Sequence, residues 1–163
     1  EGGAAGMANQ FYGKEAFDPL YIIAQIVATQ SLYFMSLGFI YWVMDALMGV
    51  PLSLDQLFTS DSYSNMSTRI AWASVFAVFL NVPVSILALL WIVERAKKCL
   101  DFCTTTFAIH LAGCLMYRGL PQHWEWWGCH IFALVTTVLV GEYCCAMKEI
   151  REIPLTSNRP SRH

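Results

Sequence analysis

Charge is scarce in this sequence. Asp, Glu, Lys and Arg make up only 13% of its 163 residues and the net charge is −2, against about 25% charged residues in soluble globular domains. That excludes the basic footprint of a nucleic-acid-binding protein. There are six cysteines but no C-x-x-C, so a four-span thiol oxidoreductase is not indicated. His123, Cys129 and His130 come closest to a metal set, and no further ligand lies near them in sequence, so no metal and no cofactor are expected. No Asp or Glu falls at the middle of an apolar run, which removes the carboxylate of a small proton-coupled exporter. No nucleophile–base–orienter set emerges and no repeat is present, so the chain is not expected to be an enzyme.

Apolar residues are what the sequence has, at 56%, and they come in long runs. About 20 helical residues cross a hydrocarbon core of about 30 Å. Four runs meet that length or come close: 19–48, 68–93, 100–117 and 124–147. The fold class predicted is all-α, a polytopic membrane protein with a four-helix transmembrane bundle. The first six residues, EGGAAG, precede Met7 and are expected to be a linker left by expression. Segment 7–18, a turn at 94–99 and a tail at 148–163 share one side of the membrane, and loops 49–67 and 118–123 share the other. Lys14, Arg95, Lys97, Lys98, Lys148, Arg151, Arg159 and Arg162 crowd the first side, and Arg69 and Arg118 alone occupy the second. Positive charge marks the cytosolic side, so both termini are expected in the cytosol.

Loop 49–67 contains PLSLDQLF. Ser53 and Gln56 have the spacing of a capping box, and Leu52 and Leu57 that of a hydrophobic staple. A short luminal helix is predicted there, lying on the membrane surface by Leu54, Leu57 and Phe58. Asn65-Met66-Ser67 is a glycosylation sequon. It lies so close to the second span that it is expected to stay unused. Small apolar filler is the expected role of most of the cysteines; palmitoylation of Cys144 or Cys145, beside a membrane boundary, is the alternative.

Polar residues recur at helical spacing inside the runs. They include Gln25, Thr29 and Ser36 in the first and Ser74, Asn81 and Ser85 in the second. Thr106 and His110 belong to the third, and His130 and Thr137 to the fourth. Such stripes face other helices, where small groups allow close approach and polar groups find partners. A rise of about 1.5 Å per residue places Gln30, Asn81 and His110 near the midplane. Pro83 frees the carbonyl of Phe79 and is predicted to kink the second span beside Asn81. His110 reads as a neutral histidine hydrogen-bonded to Gln30, Asn81 or Thr106, with a proton relay as the alternative.

Several blocks together resemble a known family. They are FDPLYIIAQIVATQSLYFMSLGF at 17–39, SLDQLF at 53–58, KCLDF followed by T-x3-H at 98–110, and GEYCCAMKEIREIPL at 141–155. They resemble the Sys family of four-span Golgi proteins over nearly all of 17–155. The resemblance implies a receptor at the trans-Golgi for an Arf-related (Arf-like) small GTPase, recognised by an acetylated, apolar N-terminal helix. It implies support of golgin recruitment and vesicle traffic further on. Binding residues do not carry over from the family, so the site is read from this sequence. Gln25, Gln30, Asn81 or Thr105 would hydrogen-bond the acetyl amide. Tyr21, Phe102 and Tyr143 would wall the first side chains. Asp18, Asp101 and Glu142 would face basic residues of the partner, or simply mark the membrane boundary. Pro83 and His110 would shape the cavity. A small four-helix transporter is the alternative function, and self-association is left open.

Overall fold

The computed structural model describes residues 19–93 and 96–152. The linker 1–6, segment 7–18 with Asp18, residues Glu94 and Arg95 of the turn, and 153–163 lie outside the described residues. In chain order come α1 (Pro19–Met48), α2 (Leu54–Phe58), a 3-10 turn at Asp61–Tyr63, α3 (Arg69–Ile92), α4 (Ala96–Tyr117) and α5 (Trp124–Glu152). There is no strand among the described residues. Four of the helices, α1, α3, α4 and α5, are long and apolar enough to cross a membrane, with mean hydropathy of 1.4, 2.4, 1.4 and 1.6 in their most apolar stretches. Helix is what a lipid-embedded backbone must form, because every N–H and C=O has to be satisfied within its own segment. Helix α4 begins at Ala96 rather than Leu100, and α5 runs on to Glu152. Hydropathy marks where lipid ends, whereas hydrogen bonding carries the helix on into the polar zone.

The helix ends follow local chemistry. Thr68 caps α3, its Oγ1 accepting from the Ala71 N–H at 3.3 Å. Gly49 closes α1 with φ +65°, and the Val50 N–H donates back to the Asp45 carbonyl at 2.9 Å. That is the left-handed glycine stop, in which a side chain at this φ would be strained. Arg69 Nη1 adds a bond to the Met48 carbonyl at 3.1 Å.

Inside and outside are reversed relative to a soluble bundle. Large apolar residues such as Met35, Phe39, Trp91 and Val135 face outward, and Ala71, Ala73, Ser74, Ala77 and Asn81 of α3 are buried. Small residues let the backbones approach where no hydrophobic gain over lipid exists. Helix α1 packs chiefly on α3, α3 on α5, and α5 on α4. Of the four neighbouring pairs, α1 and α4 pack most loosely, which leaves a seam between them. Pro19, Ile92, Lys98 and Lys148 mark the basic end of the bundle, and α2 marks the loop end.

Helix α2 does not lie flat on the surface. Leu54 is exposed, but Leu57 packs on the Leu37–Tyr41–Ala77 cluster, and Phe58 reaches within 3.2 Å of where a Cβ on Gly113 would stand. The helix stoppers the loop end of the bundle. A buried carboxylate explains why. Asp45 of α1 is 2% exposed, and the Gln56 amide, oriented by its surroundings, donates to its two oxygens at 2.8 and 3.1 Å. Gln56 therefore turns inward instead of completing the capping box. Ser53 still caps, accepting from the Asp55 N–H at 3.2 Å. Tyr117 donates to Asp55 at 3.1 Å, and the Gln122 N–H donates to Ser60 Oγ at 3.0 Å. These bonds tie the stopper to the α4–α5 turn. Gly113→Leu is expected to push Phe58 out of its seat and lower the melting temperature of the detergent-solubilised protein. The same change at Gly128, where an added Cβ meets nothing within 4 Å, should leave it unchanged.

Candidate functional site

The seam between α1 and α4 opens at the basic end into a groove of about 170 Å3, lined by Ile22, Ile26, Lys98, Asp101, Phe102 and Thr105. Phe102 is 6% exposed and anchors its floor, packed with Leu89, Val93 and Cys103. Lys98 and Asp101 come from the first turns of α4, where that helix leaves the apolar zone. Thr105 lines the groove and donates its proton to the Asp101 carbonyl at 2.7 Å, which leaves its oxygen only an acceptor's role.

One turn beyond Ile26 stands Gln30, whose amide nitrogen and oxygen are both buried without a partner. A side chain on α1 leans toward the helix N-terminus, so Gln30 leans toward the groove. Burying an unmatched amide costs about 1–3 kcal/mol, and such a group waits for something.

Of the residues singled out from the sequence, Asp101, Phe102 and Thr105 come together here, with Gln30 on the same face of α1. Tyr21 neighbours the groove in sequence but is exposed and not in its lining. Gln25 is turned away, its Nε2 donating to the Ile92 carbonyl at 2.6 Å, where it holds the end of α3. Glu142 and Tyr143 lie on α5, the former half-buried and the latter exposed, and neither lines the groove. Ile22, Ile26 and Lys98 were missed. On a helix apolar on every face, two isoleucines have no contrast to mark them, and Lys98 read only as a topology signal.

Asn81 belongs to a second space, near mid-membrane. There a chamber of about 70 Å3 is bordered by all four long helices and lined by residues that include Ser36, Asn81, Thr106, His130 and Thr137. The layer of Leu89, Val93, Phe102 and Cys103 separates it from the basic end. Helix α3 stays continuous through Pro83, whose neighbours Val82 and Val84 both line the chamber.

His110 makes none of the expected bonds to Gln30, Asn81 or Thr106. Its Nδ1 has no partner and its Nε2 lies 3.8 Å from Cys114 Sγ. The ring is held by stacking instead: on Trp126 (centroids 6.1 Å, planes 7° apart), on His130 (5.3 Å, 17°) and on Phe58 (6.2 Å, 23°). A flat aromatic slot wants a flat ring. His110→Phe is expected to keep the fold, and His110→Gln to lose about 1–2 kcal/mol through lost ring contacts, measured as thermal stability in nanodiscs. Equal stability of the two variants would return His110 to a hydrogen-bonding role.

At the basic end, Cys145 is fully buried with its sulfur 3.5 Å from Cys99, and Cys144 is half-buried on the next face. Lys148 Nζ donates to the Leu90 carbonyl at 3.2 Å. Asn65 is exposed, four residues before α3 begins, with its Oδ1 accepting from the Ser67 N–H at 3.0 Å.

Four apolar helices around a polar interior, stoppered at one end and grooved at the other, define a small polytopic integral membrane protein. The model of the SYS1 family, described as integral membrane protein S linking to the trans Golgi network, matches residues 12–155. A SYS1 homolog of Nematostella vectensis is 35% identical over 152 residues, covering 93% of this chain and 96% of that protein. A SYS1 homolog of Dictyostelium discoideum is 35% identical over 145 residues, covering 89% of this chain and 62% of that protein. No solved structure matches the chain. The chain belongs to the SYS1 family of integral membrane proteins of the Golgi and trans-Golgi network.

Proposed function

We propose that the protein recruits an Arf-related (Arf-like) small GTPase to the trans-Golgi membrane by holding the acetylated N-terminal helix of that GTPase in the groove between α1 and α4. The observation that carries this reading is the groove itself. It is apolar on its floor, charged at its mouth through Lys98 and Asp101, and continued on one helix face by an unmatched buried amide at Gln30. An acetylated N-terminus is neutral. It needs one or two hydrogen bonds and an apolar wall, whereas a free ammonium in the same place would carry an uncompensated charge. This is helix-in-groove recognition at a membrane surface. Recruitment of golgins and support of vesicle traffic would follow from the GTPase once bound. The chamber lining contains no carboxylate, so the transporter alternative has no acidic coupling group there.

The reading requires the basic end in the cytosol, with both termini there. Protease added to sealed Golgi vesicles is expected to remove a C-terminal tag, and full protection of the tag would reverse the orientation. The test of the function is cellular. In cells lacking the protein, the GTPase should leave the Golgi for the cytosol and return on re-expression. Unchanged Golgi localisation of the GTPase in those cells would sink the reading.

A further inference from the structure

The mid-membrane chamber is built for a polar group that the protein itself does not supply. Asn81 is 2% exposed and lies twelve residues from Arg69 and eleven from Ile92 along α3, about 17 Å from either end. Its Oδ1 is 2.6 Å from Ser36 Oγ, and its Nδ2 has no partner. If the amide is turned over, the unmatched end becomes the oxygen. In either orientation one end stays open. Three further hydroxyls of the wall are already committed to backbone carbonyls one turn back: Thr29 to Gln25, Ser85 to Asn81 and Thr137 to Ala133, each at 2.8–2.9 Å, while Thr106 adds a hydroxyl from α4. His130 Nδ1 is 2.9 Å from the Trp126 carbonyl, which puts the ring proton on Nδ1 and leaves Nε2 an acceptor. A group that both donates and accepts, such as an alcohol, fits this wall.

The route into the chamber is lateral. Toward the basic end it is closed by Leu89, Val93, Phe102 and Cys103. Toward the loop end stand the Leu37–Tyr41–Ala77 and Tyr63–Cys114–Trp126 clusters. Two lining residues face outward, Leu32 of α1 at 45% exposure and Val84 of α3 at 36%, with Ser85 and Ala88 leaving space between the helices. What surrounds that opening is the interior of the bilayer. Lipid tails reach this depth, and a plain hydrocarbon tail would leave Asn81 unmatched at an energetic cost.

We propose that the chamber is a lipid site, selective for a membrane lipid whose hydrophobic tail carries a hydroxyl about halfway into the bilayer. The tail enters between Leu32 and Val84, its hydroxyl meets Asn81 and His130, and its head stays at the membrane surface. A sterol hydroxylated on its side chain and a phospholipid with a mid-chain hydroxy-acyl group both present this chemistry. The site is separate from the groove at the basic end, and its occupancy needs no partner protein.

The test uses the purified full chain in nanodiscs and a clickable diazirine sterol with a side-chain hydroxyl. Labelling is expected on α1 near Leu32 and on α3 near Val84. Unlabelled hydroxylated competitor should displace the probe at roughly three- to thirtyfold lower concentration than the same lipid without the hydroxyl, the range given by one or two intramembrane hydrogen bonds. Comparing the hydroxylated sterol with the hydroxy-acyl phospholipid identifies which source the chamber takes. Asn81→Leu should abolish the preference. Val84→Trp, a change on the bilayer face, should block the opening and the labelling while leaving the melting temperature unaltered. Equal competition by hydroxylated and plain lipids on the unaltered protein overturns the proposal, as does labelling that persists in Val84→Trp. Neither depends on whether Asn81→Leu folds.

Discussion

Replacing Gln56 with Leu is expected to destabilise the bundle by about 3 kcal/mol or more, an effect large enough to remove most of the protein from the Golgi. The reason is that Asp45 lies inside a membrane-spanning helix and has its two oxygens held by the Gln56 amide. Without that amide the carboxyl keeps the cost of burial and loses the bonds that offset it. The second partner supplies the control. Asp45→Leu alone strands the amide. The double variant, with both groups apolar, should be more stable than the sum of the single losses implies, because nothing polar is then left unmatched. Strict additivity in this cycle, measured as melting temperature in detergent, would show that the pair is not what holds α2 in the bundle mouth.

The other large effect concerns recruitment. Thr105→Trp should fill the groove between Ile22, Ile26 and Phe102 and lower GTPase binding by roughly tenfold or more, the loss of one buried anchor. Thr105 is half-buried at the loosely packed seam between α1 and α4, so the fold should tolerate the bulk. Val135→Trp, on the outward face of α5, serves as the bulky control and should bind normally. Recruitment that survives Thr105→Trp unaltered, in protein that reaches the Golgi, would remove the groove from the account.

Much of the fold could be read from the sequence, because the bilayer imposes a simple rule. A long apolar run has to be a helix, and its length shows in the hydropathy. Pro19 and Met48 bound α1 in the structure as the apolar run does in the sequence. The same rule hid the packing. When lipid and core are both apolar, the pattern of Leu, Ile and Phe does not say which face meets a neighbour, so Ile22 and Ile26 gave no signal. Polar residues do signal burial, and Gln25, Asn81 and His110 are all buried. Their partners were beyond reach of sequence spacing. Gln25 went to a backbone carbonyl on α3, 67 residues away, and His110 went to a cluster of rings from three other elements, α1, α2 and α5. Helix α2 was located by its cap, yet its docking turns on Asp45, to which no sequence pattern pointed. Asp101, Phe102 and Thr105 came together because they sit within one turn and a half of a single helix, the range over which helical spacing is informative.

The most direct measurement is the affinity of an N-terminal helix peptide of an Arf-related GTPase for the purified protein in nanodiscs, acetylated and unacetylated side by side. The account predicts saturable binding of the acetylated peptide, binding weaker by roughly tenfold or more for the free amine, and loss of the acetylated binding in Thr105→Trp. Equal binding of the two peptides, or acetylated binding that Thr105→Trp leaves intact, would contradict it.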